Sequence, residues 1–372
     1  MQGASINRLD YSSIRRLLHR SRKFWVVALV FYVVVTCWPG IRSAISKLAS
    51  ESESARVLES QSSSNSSIRG EEGVCEVGAS NGSSKRNRVA VCFFGLTRSL
   101  RWTLPSLKKR LMGVLEEAGM TVDIFVHTYD LVEVNNQRAG EIGVEYESFV
   151  NDFKALQPTR SSVTNQDDFD MVWPDPLSLT HYKWHYPAEL APGVISNVFR
   201  AYWSMSMVWG LMAEYSVQEG FKYDAIVLAR PDVWFHFDVD LPRRSFPLPE
   251  RTVFVPSFDA AKLTDVRRND RFAYGSMTAM RVAMNRLPTL LDPGAGSFEG
   301  IIDSEYVFGH HLLRNNITVC LLDLIVSRFR LTGDIPKPDH KLVKEACKSG
   351  KDPMACEFLD AGFMFHIDSG GT

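Results

Sequence analysis

The chain has 372 residues, enough for a large domain with accessory segments, and its 42 Lys and Arg against 43 Asp and Glu leave a net charge of −1. So even a balance excludes nucleic acid as the main partner, because duplex binding needs a clear basic excess. No Cys and His spacing matches a zinc site.

The first 23 residues end in a basic cluster of Arg15, Arg16, His19, Arg20, Arg22 and Lys23, followed by the uncharged run FWVVALVFYVVVTCW at 24–38. Extended to Ile41, that run is short beside the about 20 residues that span an average bilayer, and it suits a thinner membrane. Few cations follow it, Arg42 and Lys47 being the first. The positive-inside rule therefore predicts a cytoplasmic tail at 1–23, a single transmembrane signal anchor at 24–41, and translocation of the rest. A cleaved signal peptide fits less well, since the aromatic, β-branched core runs to Trp38 with no clean small-residue cleavage site.

Residues 42–87 are rich in Ser, Glu, Asn and Gly and read as a flexible lumenal stem, too polar to bury a core. Asn65 and Asn81 head glycosylation tripeptides within it, and Asn316-Ile-Thr is a third, far downstream. Beyond the membrane stand Cys75, Cys92, Cys320, Cys347 and Cys356, an odd number that leaves one thiol free or paired between chains. Cys92 and Cys320 fall in apolar runs and read as core, whereas Cys347 and Cys356 form the expected local disulfide.

Residues 88–372 are the expected lumenal domain. Val89–Phe94 is a continuous apolar run of the kind found in parallel strands buried on both faces. A Gly95-Leu-Thr-Arg-Ser turn follows. Thr103 is the expected cap of the next helix, with Pro105 in its first turn, Leu104, Leu107, Leu111, Val114 and Leu115 along one face, and Gly119 at its end. TVDIFVHTY at 121–129 reads as the second strand of a strand–helix–strand unit. Residues 131–191 read as irregular and dense in aromatics. A long helix is expected from about Ile195 to Glu219, its Met and aromatic stripe being core packing. The strand YDAIVLARPDVWF then closes the pattern of an α/β, doubly wound, mostly parallel sheet flanked by helices, and 331–372 reads as an irregular cap.

In such sheets ligands bind outside the carboxyl ends of the strands. Thr97 and Arg98 lie just past the first strand, and Arg230 and Asp232 at the end of the later one, so two strand ends offer polar groups suited to an anion. The plainer reading is a strand-end ion pair between Arg230 and Asp232 with Pro231 in a turn.

Five segments in this order resemble a glycosyltransferase-like family with a GT-A nucleotide-diphospho-sugar transferase fold: Gly95-Leu-Thr-Arg98, Asp123-Ile-Phe-Val-His127-Thr128, Arg230-Pro-Asp232, Asn269-Asp270-Arg-Phe272-Ala-Tyr-Gly275-Ser276, and Ser304-Glu305. The resemblance covers roughly 88–330. It implies a nucleotide-sugar donor, a glycan or glycoprotein acceptor, and residence in the Golgi or endoplasmic reticulum membrane. Gly95, Thr97, Arg98, Arg230 and Asp232 would then face the donor diphosphate, and Tyr274, Gly275 and Ser276 the acceptor. Asp270 would orient an acceptor hydroxyl, and Asp303 or Glu305 would act as general base, unless these acids only cap a turn and a helix start. In many such enzymes the strand ends in Asp-x-Asp, which holds Mn²⁺ or Mg²⁺. Here Arg230 replaces the first Asp and leaves Asp232 as the expected metal ligand, so the cation either binds less well or yields part of its role to arginine. A sulfotransferase shares this membrane layout, but its phosphate loop needs more small residues than Phe94–Ser99 provide. A non-catalytic binding or scaffold protein on the same fold is the third reading.

Overall fold

The computed structural model describes residues 86–136, 141–145, 150–173, 191–258, 266–291 and 304–363. The expected membrane anchor, almost all of the stem, Asn65, Asn81 and Asp303 lie outside them. No helix among the described residues is long and apolar enough to cross a membrane.

Strand β1 (Arg88–Phe94) is followed by α1 (Leu100–Ser106), a π-helical segment Leu107–Gly113, and α2 (Val114–Glu117), and then β2 (Thr121–Asp130). The chain continues through the hairpin of β3 (Glu133–Asn136) and β4 (Glu141–Glu145), β5 (Arg160–Asn165), α3 (Gln166–Val172) and the long α4 (Ala191–Gln218). Next come β6 (Ala225–Ala229), β7 (Val233–Phe235), β8 (Thr252–Pro256), β9 (Phe272–Gly275), α5 (Met277–Met284), α6 (Leu287–Leu291), α7 (Ser304–Arg314), β10 (Thr318–Leu322) and β11 (Val326–Arg328). Helices α8 (His340–Ser349) and α9 (Pro353–Asp360) complete the described chain.

Seven strands form one sheet in the order β10-β8-β9-β6-β1-β2-β5. β1, β2, β5 and β6 pair in parallel, as do β8 and β10, while β9 runs antiparallel to both its neighbours. The order reverses about β1 and β6, a switch point of the kind where such sheets open a crevice. Along β1, Val89, Val91 and Phe93 enter one core and Ala90, Cys92 and Phe94 the other. That two-residue alternation, apolar on both sides, is why the run contains no polar position. One core is closed by α1, α8 and α9, and the other by α4, α5 and α7.

Several expectations change. Thr103 is not a cap: the helix starts at Leu100, and the Thr103 hydroxyl donates to the Pro231 carbonyl at 2.5 Å, tying α1 to the end of β6. The segment read as irregular contributes β5, which extends the sheet edge with alternating half-buried and exposed residues. An edge strand with one face in water carries no continuous apolar run, and RSSVTN has none. The C-terminal region is not irregular either. α8 and α9 pack Leu342, Val343, Ala346, Ala355 and Phe358 against the sheet, and Cys347 and Cys356 are joined by a disulfide with Cα atoms 4.9 Å apart. Cys92 is a free buried thiol, and Cys320 is disulfide-bonded as well as buried in its strand.

The C-terminal helices are held by a buried polar line. His236 donates from Nδ1 to Asp352 at 2.6 Å, Ser327 Oγ donates to His236 Nε2 at 2.9 Å, and Trp234 Nε1 also donates to Asp352 at 3.1 Å. The sequence nucleophile, base and acid would describe a hydrolase triad. Yet Ser327 and His236 are 0% exposed and Asp352 2%, so no substrate reaches them and the line is a tie between β7, β11 and the start of α9.

His127 is similarly enclosed, bonded through Nδ1 to Ser204 Oγ on α4 at 2.7 Å and through Nε2 to Thr164 Oγ1 on β5 at 2.9 Å. Burial pushes it down to about 4, and His311, also buried, falls to about 4 for the same reason. Unfolding restores a value near 6.5, so the unfolded chain binds more protons below that pH. Stability is therefore complete above pH 6.5 and is lost as pH falls from 6.5 towards 4. Thermal melts at pH 7.5 and 5 should show the midpoint dropping; a flat profile would mean that these rings are accessible.

Candidate functional site

A cleft of about 700 Å³ opens at the carboxyl edge of β1 and β6. Its floor begins where β1 stops. Gly95 has φ +90°, which only glycine adopts freely, and its N–H donates to Ser204 Oγ at 2.8 Å. The chain then turns to bring Arg98 into the cleft wall, where its guanidinium meets the Glu141 carboxylate from β4 at 2.6 Å. The hairpin is fixed in turn by Glu141 Oε1, which accepts from the Leu331 N–H at 3.0 Å.

At the end of β6, Arg230 donates from Nε and Nη2 to both oxygens of Asp232, at 2.7 and 2.6 Å. The strand-end ion pair is therefore real and forked. Burial alone would raise the Asp232 carboxyl, but Arg230, with Arg98 and Arg328 behind it, holds it well below the usual carboxylate range.

A third source of charge is β11 and the turn after it. Arg328 donates to Asp339 at 2.8 and 3.0 Å, and Arg271 donates to the same carboxylate at 3.2 Å. Arg330, two residues on and facing the same cleft, has no hydrogen-bonding or ionic side-chain partner among the described residues. Burial pulls its guanidinium down to about 10, and the neighbouring charges of Arg98 and Arg328 add to the effect, against an opposing pull from Glu141 and Asp232. Lys337 stands exposed at the rim.

Two further carboxylates, Asp270 and Glu305, line the cleft and lie near enough to Arg230 to act on its charge. Asp270 lies just before β9 and accepts a hydrogen bond from Ser304 Oγ at the start of α7, beside Glu305 in that helix's first turn. The two segments dock closely, with Arg268 N–H donating to the Glu305 carbonyl at 3.0 Å. Gly309 makes this possible, since a Cβ there would overlap the Val266 carbonyl oxygen.

Of the residues expected at the site, Gly95, Arg98, Arg230, Asp232, Asp270 and Glu305 line this one cleft. Thr97 is fully buried and off its wall. Tyr274, Gly275 and Ser276 are off it too, because β9 is antiparallel: it leaves the rim at Asp270 and carries those three towards the amino ends of its neighbours. There the Tyr274 hydroxyl donates to Asp240 at 2.7 Å, Gly275 passes close under Thr252, and Ser276 caps α5 by accepting from the Ala279 N–H. Asn316 is exposed in the turn before β10. Sequence reasoning missed Glu141, Arg328, Arg330 and Lys337. The signal for two of them was present: VSRFR alternates, so Ser327 and Phe329 point inward and both arginines share the other side.

No protein-family model matches the chain. No curated protein matches it either. Among solved structures, the apo-form glycosyltransferase GlyE of Streptococcus pneumoniae TIGR4 aligns at a TM-score of 0.31 with 8% identity, over 63% of this chain and 45% of that one. The chain thus spans less than half of that neighbour's length. A score this low assigns no function, so function has to be read from the residues of the cleft.

The expected divalent cation does not suit these residues. Both Asp232 oxygens already accept from Arg230, two more guanidinium groups face the same carboxylate, and no cluster of three potential ligands exists among the described residues. A cation there would have to displace an arginine and then sit among others.

Proposed function

We propose that this protein is a glycosyltransferase, anchored in the Golgi or endoplasmic reticulum membrane by residues 24–41, with its catalytic domain in the lumen. It moves a sugar from a nucleotide-sugar donor to a glycan or glycoprotein. The observation that carries this reading is the charge gathered in one cleft: the guanidinium groups of Arg98, Arg230, Arg328 and Arg330, and near Arg230 the Asp270 and Glu305 carboxylates. A glycosyl donor has those two needs. Its diphosphate gathers charge as it leaves, and groups already in place stabilise it at no further cost of reorganisation. The acceptor hydroxyl must lose a proton to a nearby base, which Asp270 or Glu305 supplies. The doubly wound, mostly parallel sheet, with the cleft at its switch point, is consistent with a GT-A-like fold.

The test is a screen of the full chain, purified in mild detergent, against nucleotide-sugars and the nucleotide sulfate donor. Calorimetry should detect at least one nucleotide-sugar, and that donor should be hydrolysed slowly without acceptor. Binding of the sulfate donor alone would move the protein to sulfotransferases, and binding of neither would leave a non-catalytic role.

A further inference from the structure

We propose that the cleft binds a diphosphate through guanidinium groups alone, with Arg330 as the direct ligand and no divalent cation. This rests on the transferase reading for the identity of the whole ligand, but not for the anion site itself.

The charges of the cleft are satisfied unequally. Arg98 is committed to Glu141, Arg230 to Asp232, and Arg328 and Arg271 to Asp339. Each pair is short and at least half enclosed, and each fixes a guanidinium in one orientation. Among the described residues Arg330 makes no side-chain hydrogen bond or ion pair. It is half-buried, close enough to Arg98 and Arg328 to feel their charge, and lines the same cleft. The carboxylates that also act on it, Glu141 and Asp232, are already held by Arg98 and Arg230, so its charge is only partly offset in the empty protein and an anion in the cleft would complete the balance. The guanidinium fork also matches phosphate oxygens in geometry, which an ammonium does not.

The carboxylate that a metal would need is withdrawn by the same arrangement. Arg230 occupies both Asp232 oxygens, so the acid that elsewhere holds a cation serves here to orient an arginine. Positive charge under the diphosphate is thus built into the chain rather than recruited from solution.

Inorganic pyrophosphate and uridine diphosphate are the probes, titrated calorimetrically into the full chain with EDTA and, separately, with Mn²⁺. Both ligands should bind in EDTA with affinity little changed by Mn²⁺. Arg330→Ala should weaken them about 10- to 100-fold, and Arg330→Lys should fall between, retaining charge without the fork. Because Arg330 makes no side-chain hydrogen bond or ion pair among the described residues, Arg330→Ala should not lower the melting temperature of the empty protein, which separates a ligand-binding role from a structural one. Binding that requires Mn²⁺, no pyrophosphate binding in either buffer, or wild-type affinity in Arg330→Ala overturns the proposal. Pyrophosphate binding in EDTA with no nucleotide or nucleotide-sugar binding upholds the anion site and overturns the transferase reading.

Discussion

Asp339→Ala is expected to destabilise the protein by about 3–5 kcal/mol. Asp339 is fully enclosed and accepts from two arginines and from the Arg328 N–H, so its loss takes this carboxylate from two largely buried guanidinium groups. Burial would raise its carboxyl, yet Arg271 and Arg328 hold it below the usual range, so the pair is charged throughout the neutral region. A suitable contrast is Asp323→Ala. Its Lys351 partner lies at 3.9 Å and both side chains are mostly in water, so the change should amount to about 0–1 kcal/mol. Denaturant midpoints measure both. Equal, small shifts would show that Asp339 is not the link between β9, β11 and α8. Asp339→Ala should also weaken anion binding, because Arg328 loses its orientation at the wall.

Asp270→Asn is expected to lower kcat by about 10²- to 10⁴-fold with little change in KM for the donor. Asp270 is chosen over Glu305 on position. Ser304 fixes its carboxylate at the cleft lining, whereas Glu305 lies in the first turn of α7. Glu305→Gln should cost less than tenfold. The reverse order of effects would exchange the two roles, and normal turnover in both variants would remove the two acids from the mechanism. Raised KM with normal kcat in Asp270→Asn would mean that it binds the acceptor without taking its proton.

The parts of this molecule that could be read from the sequence share one physical property: their signal is local. β1 and β6 are buried on both faces, so each shows as an apolar run, and the polar residues that follow them mark the rim directly. The cleft residues Arg98, Arg230 and Asp232 were therefore legible in the sequence, whereas Asp270 and Glu305 came from the family resemblance. β5 was not, because an edge strand needs only half an apolar pattern. Tyr274 to Ser276 were misplaced because composition does not encode strand direction, and a single antiparallel strand carries its two ends to opposite edges of the sheet. Arg98 with Glu141, and Arg271 with Asp339, are pairings across 43 and 68 positions, which no spacing rule reaches. The same holds for Arg330, whose distinction is that it lacks such a partner among the described residues.

The C-terminal segment gives the site a position in time as well as in space. A chain leaving the ribosome has made β1, β2 and β6 long before β11, the Arg330 turn and Asp339 emerge. Until then Arg271 lacks the Asp339 carboxylate, part of the cleft lining is missing, and the Asp352 tie that fastens α9 against β7 cannot form. The nascent chain can assemble much of its sheet while having nowhere to place a diphosphate. Ligand competence thus waits for β11 and the Asp339 turn, so a product truncated after β10 would lack the anion site.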